Sequence, residues 1–347
     1  MSDSSPPRKR RTAGRITLND VAREVGVSAL TVSRFFNHPE RVSEELRQRI
    51  GEAVSALGYV PNLVAGSLAS ARSRIVGMVI PNISGPIFAN TIQGFSDTLS
   101  RHGYQLLLAS SYFSPEQEEN AVRAFLGWSP AALVVTSHFH SEGTEKLLAG
   151  TDIPVVEIWD YQPERAPIQV GFQHYDVGEM AVRHLLGKGY RRIAFVLNSA
   201  AGDFSALDRR DGYAAILEAA GLQPWNFVPS IGSAPFEAGK EAMETLMQGT
   251  PKPDAIIFAN DNLAAGGLLA AQRMGLRIPD DCAVMGFGDY AFAHMLLPSL
   301  STIRPPSLAI GEMAALRVLE SLGAIATTLP VQRLNRLECQ LVEREST

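Results

Sequence analysis

Residues 17–37, Thr-Leu-Asn-Asp-Val-Ala-Arg-Glu-Val-Gly-Val-Ser-Ala-Leu-Thr-Val-Ser-Arg-Phe-Phe-Asn, constrain this chain more than any other stretch. They read as two short helices joined by a tight turn. Thr17 stands where it caps the first helix, and Asp20 places a carboxylate at the positive helix end. Leu18, Val21, Ala22 and Val25 recur at helical spacing, giving one apolar face. Gly26 supplies the turn. Ser28 caps a second helix whose inward side is Val32 with Phe35 or Phe36. Its outward side carries Ser28, Ala29, Leu30, Ser33 and Arg34. This is a helix-turn-helix pattern, with a second helix shaped to enter a DNA major groove. A generic helical hairpin is the competing reading of these residues alone.

A third helix follows. Val42-Ser43-Glu44-Glu45 opens it with a cap and an acidic first turn, Leu46, Ile50, Val54 and Leu57 stripe it, and Gly58 ends it. Then comes Tyr59-Val60-Pro61-Asn62-Leu63-Val64-Ala65-Gly66-Ser67-Leu68-Ala69. With the helix-turn-helix, the Gly-Tyr-x-Pro-Asn junction and the Ala-x-x-Leu-Ala segment, the chain resembles the LacI/GalR family of bacterial transcription repressors from Ile16 nearly to its end.

Charge first argues against a DNA binder, because the 347 residues sum to −5. The charge is unevenly spread. Residues 1–74 hold 12 Lys and Arg against 7 Asp and Glu, leaving 19 of the 31 basic and 29 of the 36 acidic residues for the remainder. A basic head on an acidic body is expected where only the head meets phosphates. Arg8-Lys9-Arg10-Arg11, among Ser, Pro, Thr and Gly, reads as a disordered basic tail over 1–15. It either adds nonspecific phosphate attraction or is a plain solvated terminus. No run of 18 apolar residues exists, so no membrane partner is expected. The two cysteines, Cys282 and Cys339, offer no disulfide framework or metal site, and a reducing cytoplasm is the simple inference. No cofactor is expected.

Beyond residue 74 the chain alternates strands with helices. Strands are expected over 75–80, 104–109, 132–136, 155–158, 192–197, 255–259 and 283–287. Helices are expected over 88–102, 116–128, 177–188, 209–220, 236–248, 263–274 and 308–322, with final strands after that. Alternation of this kind implies right-handed parallel crossovers. Two successive sets imply two lobes. The fold class is therefore α/β: an all-α helix-turn-helix head over 16–60, a hinge-helix linker over 61–73, and a core over 74–347. The resemblance implies that this core is periplasmic-binding-protein-like, with two doubly wound parallel-sheet lobes. Lobe 1 is expected over 74–171 and 304–330, and lobe 2 over 172–303 and 331–347. Ligands of such sheets sit beyond the carboxyl ends of the strands.

The resemblance assigns the DNA-reading positions to Ala29, Leu30 and Arg34. Arg34 suits a guanine O6/N7 pair or a phosphate, while Ala29 and Leu30 suit thymine methyls or shape. Thr17, Leu18, Ser28, Thr31, Ser33, Asn37, Arg41 and Tyr59 are expected to anchor the head on the backbone. In the family, residues 62–69 fold only when two subunits meet over operator DNA, as a homodimer. Asn62 and Ala65 then lie at the DNA, and Leu68 acts as an apolar wedge in the minor groove. A plain linker is the alternative.

For an effector, the loops after strands supply Asn82, Ser84 and Phe88, then Ser137, His138 and His140, then Arg209, Asn260 and Asp289. By resemblance, Arg209 and Asn260 match the residues that grip the ligand. An Arg forks onto a carboxylate or hydroxyls, and an Asn both donates and accepts. Asp261 is expected to cap the following helix. Where sugar-binding members carry an Asp after Gly-Phe, this chain has Gly288, which favours an anion. The segment 153–172 with His140 resembles the gluconate-repressor branch, although Gln173-His174 departs from the usual Asp-Asn. The expected effector is gluconate or a related sugar acid that releases the protein from its operator, with 2-ketogluconate or a neutral sugar as effector, or a corepressor mechanism, as the alternatives. Glu157 and Asp160 are left either to bond hydroxyls or to lie on the rim. No phosphate loop, Gly-x-Ser-x-Gly elbow, HExxH or Cys pair is present, so no enzyme is expected.

Overall fold

Helices α1 (Leu18–Val25), α2 (Ala29–Asn37) and α3 (Glu44–Leu57) arise where the caps and stripes place them. The computed structural model describes residues 16–61, 73–83, 85–137, 139–165, 168–198, 202–230, 232–326 and 332–347. The chain divides into two compact units between Ser73 and Arg74.

In the first unit, the Asp20 carboxylate accepts from the Thr17 amide at 2.9 Å and from its hydroxyl at 2.6 Å, satisfying groups that a helix start leaves open. Gly26 adopts φ +76°, a left-handed turn that favours glycine. The Ser28 Oγ accepts from the Thr31 amide at 3.2 Å. Val21, Val32 and Ile50 are wholly buried and form the core with Val25 and Tyr59. Phe35 and Phe36 both pack on that core, edge to face at 4.9 Å, so the inward face uses the two together. Arg49 donates to the Val25 carbonyl at 2.8 Å and so ties α3 to the end of α1.

The second unit holds two six-stranded sheets. The first comprises β1 (Ile75–Ile80), β2 (Gln105–Ser110), β3 (Ala132–Thr136), β4 (Val155–Ile158), β5 (Ile168–Gly171) and β11 (Leu334–Arg336), in the order β11-β5-β4-β3-β1-β2, all parallel. The second comprises β6 (Ile193–Val196), β7 (Trp225–Phe227), β8 (Ala255–Phe258), β9 (Ala283–Phe287), β10 (Ser301–Arg304) and β12 (Gln340–Val342), in the order β12-β10-β9-β8-β6-β7. Only β12 runs antiparallel to its neighbour, β10. Runs such as Ile-Val-Gly-Met-Val-Ile in β1 are apolar throughout because helices cover both faces of a parallel sheet. The covering helices are α4 (Pro86–Arg101), α5 (Pro115–Gly127), α6 (Glu142–Ala149), α7 (His174–Gly187), α8 (Phe204–Ala219), α9 (Pro235–Gln248), α10 (Asp261–Arg273) and α11 (Ser307–Ser321).

The structure corrects the expected partition at the chain's end. Leu334–Arg336 pair with residues 169–171 of the first sheet, so residues 331–347 do not all belong to the second lobe. Only β12 does, through β10. The chain thus passes between lobes three times: after β5, after β10 and between β11 and β12. A three-residue strand carries too little periodicity to reveal which sheet it joins. Helix α6 and strands β5 and β7 were also not anticipated, being short or, in β7, half-exposed.

Candidate functional site

The head presents its second helix outward. Leu30 is 59% exposed, an apolar side chain left in solvent. Arg34, Ser28, Thr17 and Arg41 are exposed, and Thr31 and Ser33 are half-exposed. Leu18 and Ala29 are half-buried against the head core. Tyr59 departs from expectation. It is buried with its ring 5.9 Å from that of Phe36, so it is a core residue of the head before it is a phosphate anchor. Asn37 ends α2. Asn62, Ala65 and Leu68, with the whole 62–69 hinge expectation, lie outside the described residues, as do Ser84 and His138.

In the second unit a cavity of about 430 Å³ opens between the lobes at the carboxyl ends of the strands. Asn82, Phe88, Ser137, Arg209 and Asn260 line it as expected. The loops that reach it bend sharply. Ser137 after β3 has φ +71° and Trp159 after β4 has φ +67°, both left-handed without being glycine, and such conformations cluster at ligand sites. Phe88 and Trp159 meet edge to face at 5.1 Å. Phe139 of the first lobe stacks on Phe204 of the second at 4.8 Å.

Arg209 is the charged centre of one wall. It is 5% exposed, and its guanidinium lies 4.3 Å over the Phe287 ring. Nη1 donates to Nδ1 of His174 at 2.9 Å, and Nη2 to the Ala259 carbonyl at 3.2 Å. Nε is buried without a hydrogen-bond partner among the described residues. Burial pushes the guanidinium pKa down, opposed chiefly by Asp203. A strong donor in such a place is costly unless something accepts from it.

Asn260 caps α10, accepting from the Leu263 amide at 3.1 Å, while its amide donates to Oδ1 of Asn198 at 2.7 Å. Asn198 donates in turn to Asp203, the cap of α8. The expectation that Asp261 caps this helix is therefore corrected by one residue. Asp261 turns inward and accepts from Thr302 Oγ1 at 2.7 Å and from the Tyr290 amide at 2.8 Å. Burial raises its carboxyl to about 6 against those bonds.

Two expected effector residues stand elsewhere. The His140 side chain is fully buried behind the cavity wall, its Nδ1 2.6 Å from Oε1 of Glu118 and its Nε2 3.7 Å from Glu157. Asp289 turns from the cavity and pairs with Arg304 and Arg344, each at 2.6 Å, because two guanidiniums claim its carboxylate. Glu157 is neither on the rim nor available to a ligand. It is wholly buried, bonded by Arg165 at 2.9 Å and by Gln169 at 2.8 Å. Asp160 is likewise buried, its Oδ1 accepting from the Tyr161 amide at 2.7 Å.

Gly288 has φ +130°, and a Cβ there would lie 2.3 Å from the Tyr290 ring. Tyr290 lines the cavity, so its ring occupies the space that an acid at 288 would need. Sequence reasoning also missed His174, Asn198, Asp203, Trp159 and Phe287. All follow or end strands except His174 and Asp203, so the strand-end rule had the signal for most of them. Glu118, inside the first turn of α5, carried no such signal.

Residues 17–62 match the family model of bacterial regulatory proteins of the lacI family, and residues 182–347 that of a periplasmic binding protein-like domain. The chain is 35% identical over 320 residues to the HTH-type transcriptional regulator GntR of Pseudomonas aeruginosa, covering 92% of this chain and 93% of that protein. It is 32% identical over 314 residues to GntR of Escherichia coli strain K12, covering 90% and 94%. A crystal structure of a LacI-family transcriptional regulator from Silicibacter pomeroyi aligns with a TM-score of 0.88 at 30% identity, covering 95% of this chain and 99% of that one. The helix-turn-helix, the two-lobed core and these matches lead to one statement: the chain belongs to the LacI family of bacterial regulatory proteins and is a DNA-binding transcriptional regulator, not an enzyme.

Proposed function

We infer that this regulator is a cytoplasmic, homodimeric repressor of sugar-acid catabolic genes, released from its operator by a gluconate-type effector in the interlobe cavity. The guanidinium of Arg209, which lines the cavity, carries the reading. A carboxylate is the complementary acceptor. The likeness to the GntR proteins supports the same class of ligand. On the DNA side, the exposed Arg34 and Leu30 read bases, and Ser28, Thr31 and Ser33 hold the backbone. One short helix offers few base contacts, so a two-fold dimer on a pseudo-palindrome supplies the rest. Release requires the effector to prefer the state with low operator affinity.

The test titrates gluconate, 2-ketogluconate, glucose and ribose against the full chain bound to an operator selected from random duplexes. Gluconate or 2-ketogluconate should dissociate the complex, and R209A should not respond. Dissociation by a neutral sugar alone, or tightening of the complex by the acids, overturns the reading.

A further inference from the structure

Among the described residues, Glu118 is the one carboxylate on the first-lobe wall of the cavity. It lies in the first turn of α5, its side chain 9% exposed, with Oε1 2.6 Å from His140 Nδ1. Behind His140 stands a chain of alternating charge that starts at the buried Glu157 and ends at the half-exposed Glu145. His140 Nε2 faces Glu157, Arg165 bonds Glu157 through Nε at 2.9 and 3.1 Å, and Arg165 reaches Glu145 at 3.0 Å. Gln169 fixes the other side of Glu157 at 2.8 Å. His140 is thus gripped between two carboxylates. Three carboxylates meet two cationic side chains here, so the network keeps an excess negative charge whose cavity end is Glu118.

We propose that Glu118 is the residue that selects hydroxyl groups on the effector, held in place by His140, and that it sets the ligand's direction in the cavity. A carboxylate only accepts, and one bond to His140 leaves most of its capacity unused. Its partner on a ligand must therefore donate, as a hydroxyl does. The same charge repels an anionic group, which goes instead to Arg209 on the second lobe. Glu118 on one wall, and Arg209 with Asp203 on the other, fit a polyhydroxylated acid lying across the cleft with its carboxylate at Arg209. His140 is a positioning residue, since its side chain is fully buried and does not line the cavity.

This rests on the proposed class of effector, and the test separates the two ideas. Calorimetric titration of the full-length wild type, E118Q, E118A and H140N would use gluconate, each singly deoxygenated gluconate, glucose and ribose, with thermal melting to confirm folding. E118Q should weaken gluconate binding by about 10- to 100-fold, as loss of a charge-assisted hydrogen bond does. H140N should weaken it less. At least one deoxy acid should bind wild type and E118Q alike, because it lacks the hydroxyl that Glu118 accepts from. A penalty that is the same for every deoxy acid marks a structural defect and overturns the proposal, as does wild-type affinity in E118Q and E118A. If glucose or ribose binds in place of the acids and E118Q still abolishes it, the role of Glu118 stands and the sugar-acid reading falls. If none of these ligands binds the wild type, both fall.

Discussion

Nδ1 of His174 accepts a hydrogen bond from Nη1 of Arg209 at 2.9 Å, while Nε2 of the same ring lies 2.9 Å from the Trp159 carbonyl oxygen. A carbonyl only accepts and a guanidinium only donates, so the two contacts fix the ring as the neutral tautomer with its proton on Nε2. Trp159 follows a strand of the first lobe and Arg209 belongs to a helix of the second. His174 therefore couples the effector wall to the opposite lobe.

Removing this ring leaves a buried guanidinium nitrogen unpaired. H174A should cost about 1–3 kcal/mol of core stability and weaken gluconate binding. Urea unfolding checks it. A midpoint equal to that of wild type would mean that Arg209 finds another partner.

The exposed face of α2 gives a DNA prediction. R34A should cost roughly 1–3 kcal/mol of operator affinity and relax selectivity at one base pair per half-site. A uniform loss over all sequences, with a shallower salt dependence, would reassign Arg34 to phosphate.

The head has a small core, and Ile50 is wholly buried in it. I50A should cost roughly 2–5 kcal/mol, a large part of what so small a unit possesses. Operator binding should collapse while gluconate titrates as in wild type, because the core is a separate unit. Parallel loss of both would contradict the two-unit organisation.

The Glu118–His140–Glu157 cluster carries a pH signature. Burial alone would lower the pKa of His140, but its bond to Glu118 and the nearby Glu157 carboxylate prevail and raise it to about 9 from the ordinary 6.5. Its stabilising charge is then fully present below pH 6.5 and is lost as pH rises through about 9. Glu157 behaves oppositely. Burial raises it, yet the nearby His140 and the bonds from Arg165 and Gln169 hold it at about 2, so its contribution is present above pH 4.5 and is lost only near pH 2. The stability advantage of wild type over H140N should therefore be flat between pH 4.5 and 6.5 and shrink by up to roughly 3 kcal/mol toward pH 9. A constant difference over the alkaline range would show that His140 is neutral.

At Gly288 the backbone is left-handed and the Tyr290 ring fills the space beside it. G288A should cost about 1–3 kcal/mol of core stability by thermal melting. G288D should go further and weaken binding of an acid more than that of a neutral sugar, since it brings a carboxylate to the cavity edge. Unchanged melting of G288A would show that Tyr290 moves freely.

The sequence by itself determined the parts whose information is local. Thr17 with Asp20, and Gly26 with Ser28, fix the turns of the head over spans of no more than four residues each, and the stripe Val21, Val25, Val32 and Ile50 states which faces meet. Apolar runs in the core announced a buried parallel sheet, the strand-end rule led to Asn82, Ser137 and Asn260, and the family resemblance led to Arg209. Tertiary structure decided what depends on residues far apart in the chain. Asn260 and Asp261 have the same sequence claim to a cap, and only the nearness of Thr302 and the Tyr290 amide turns Asp261 inward. His140 looked like a ligand residue until Glu118, 22 positions earlier, was found between it and the cavity. Asp289 was claimed by Arg344, 55 positions later, and Leu334–Arg336 by a strand of the other lobe. A side chain's type tells what bond it can make. Which partner arrives first is set by packing, because a buried charge takes the opposite charge that the fold brings within reach.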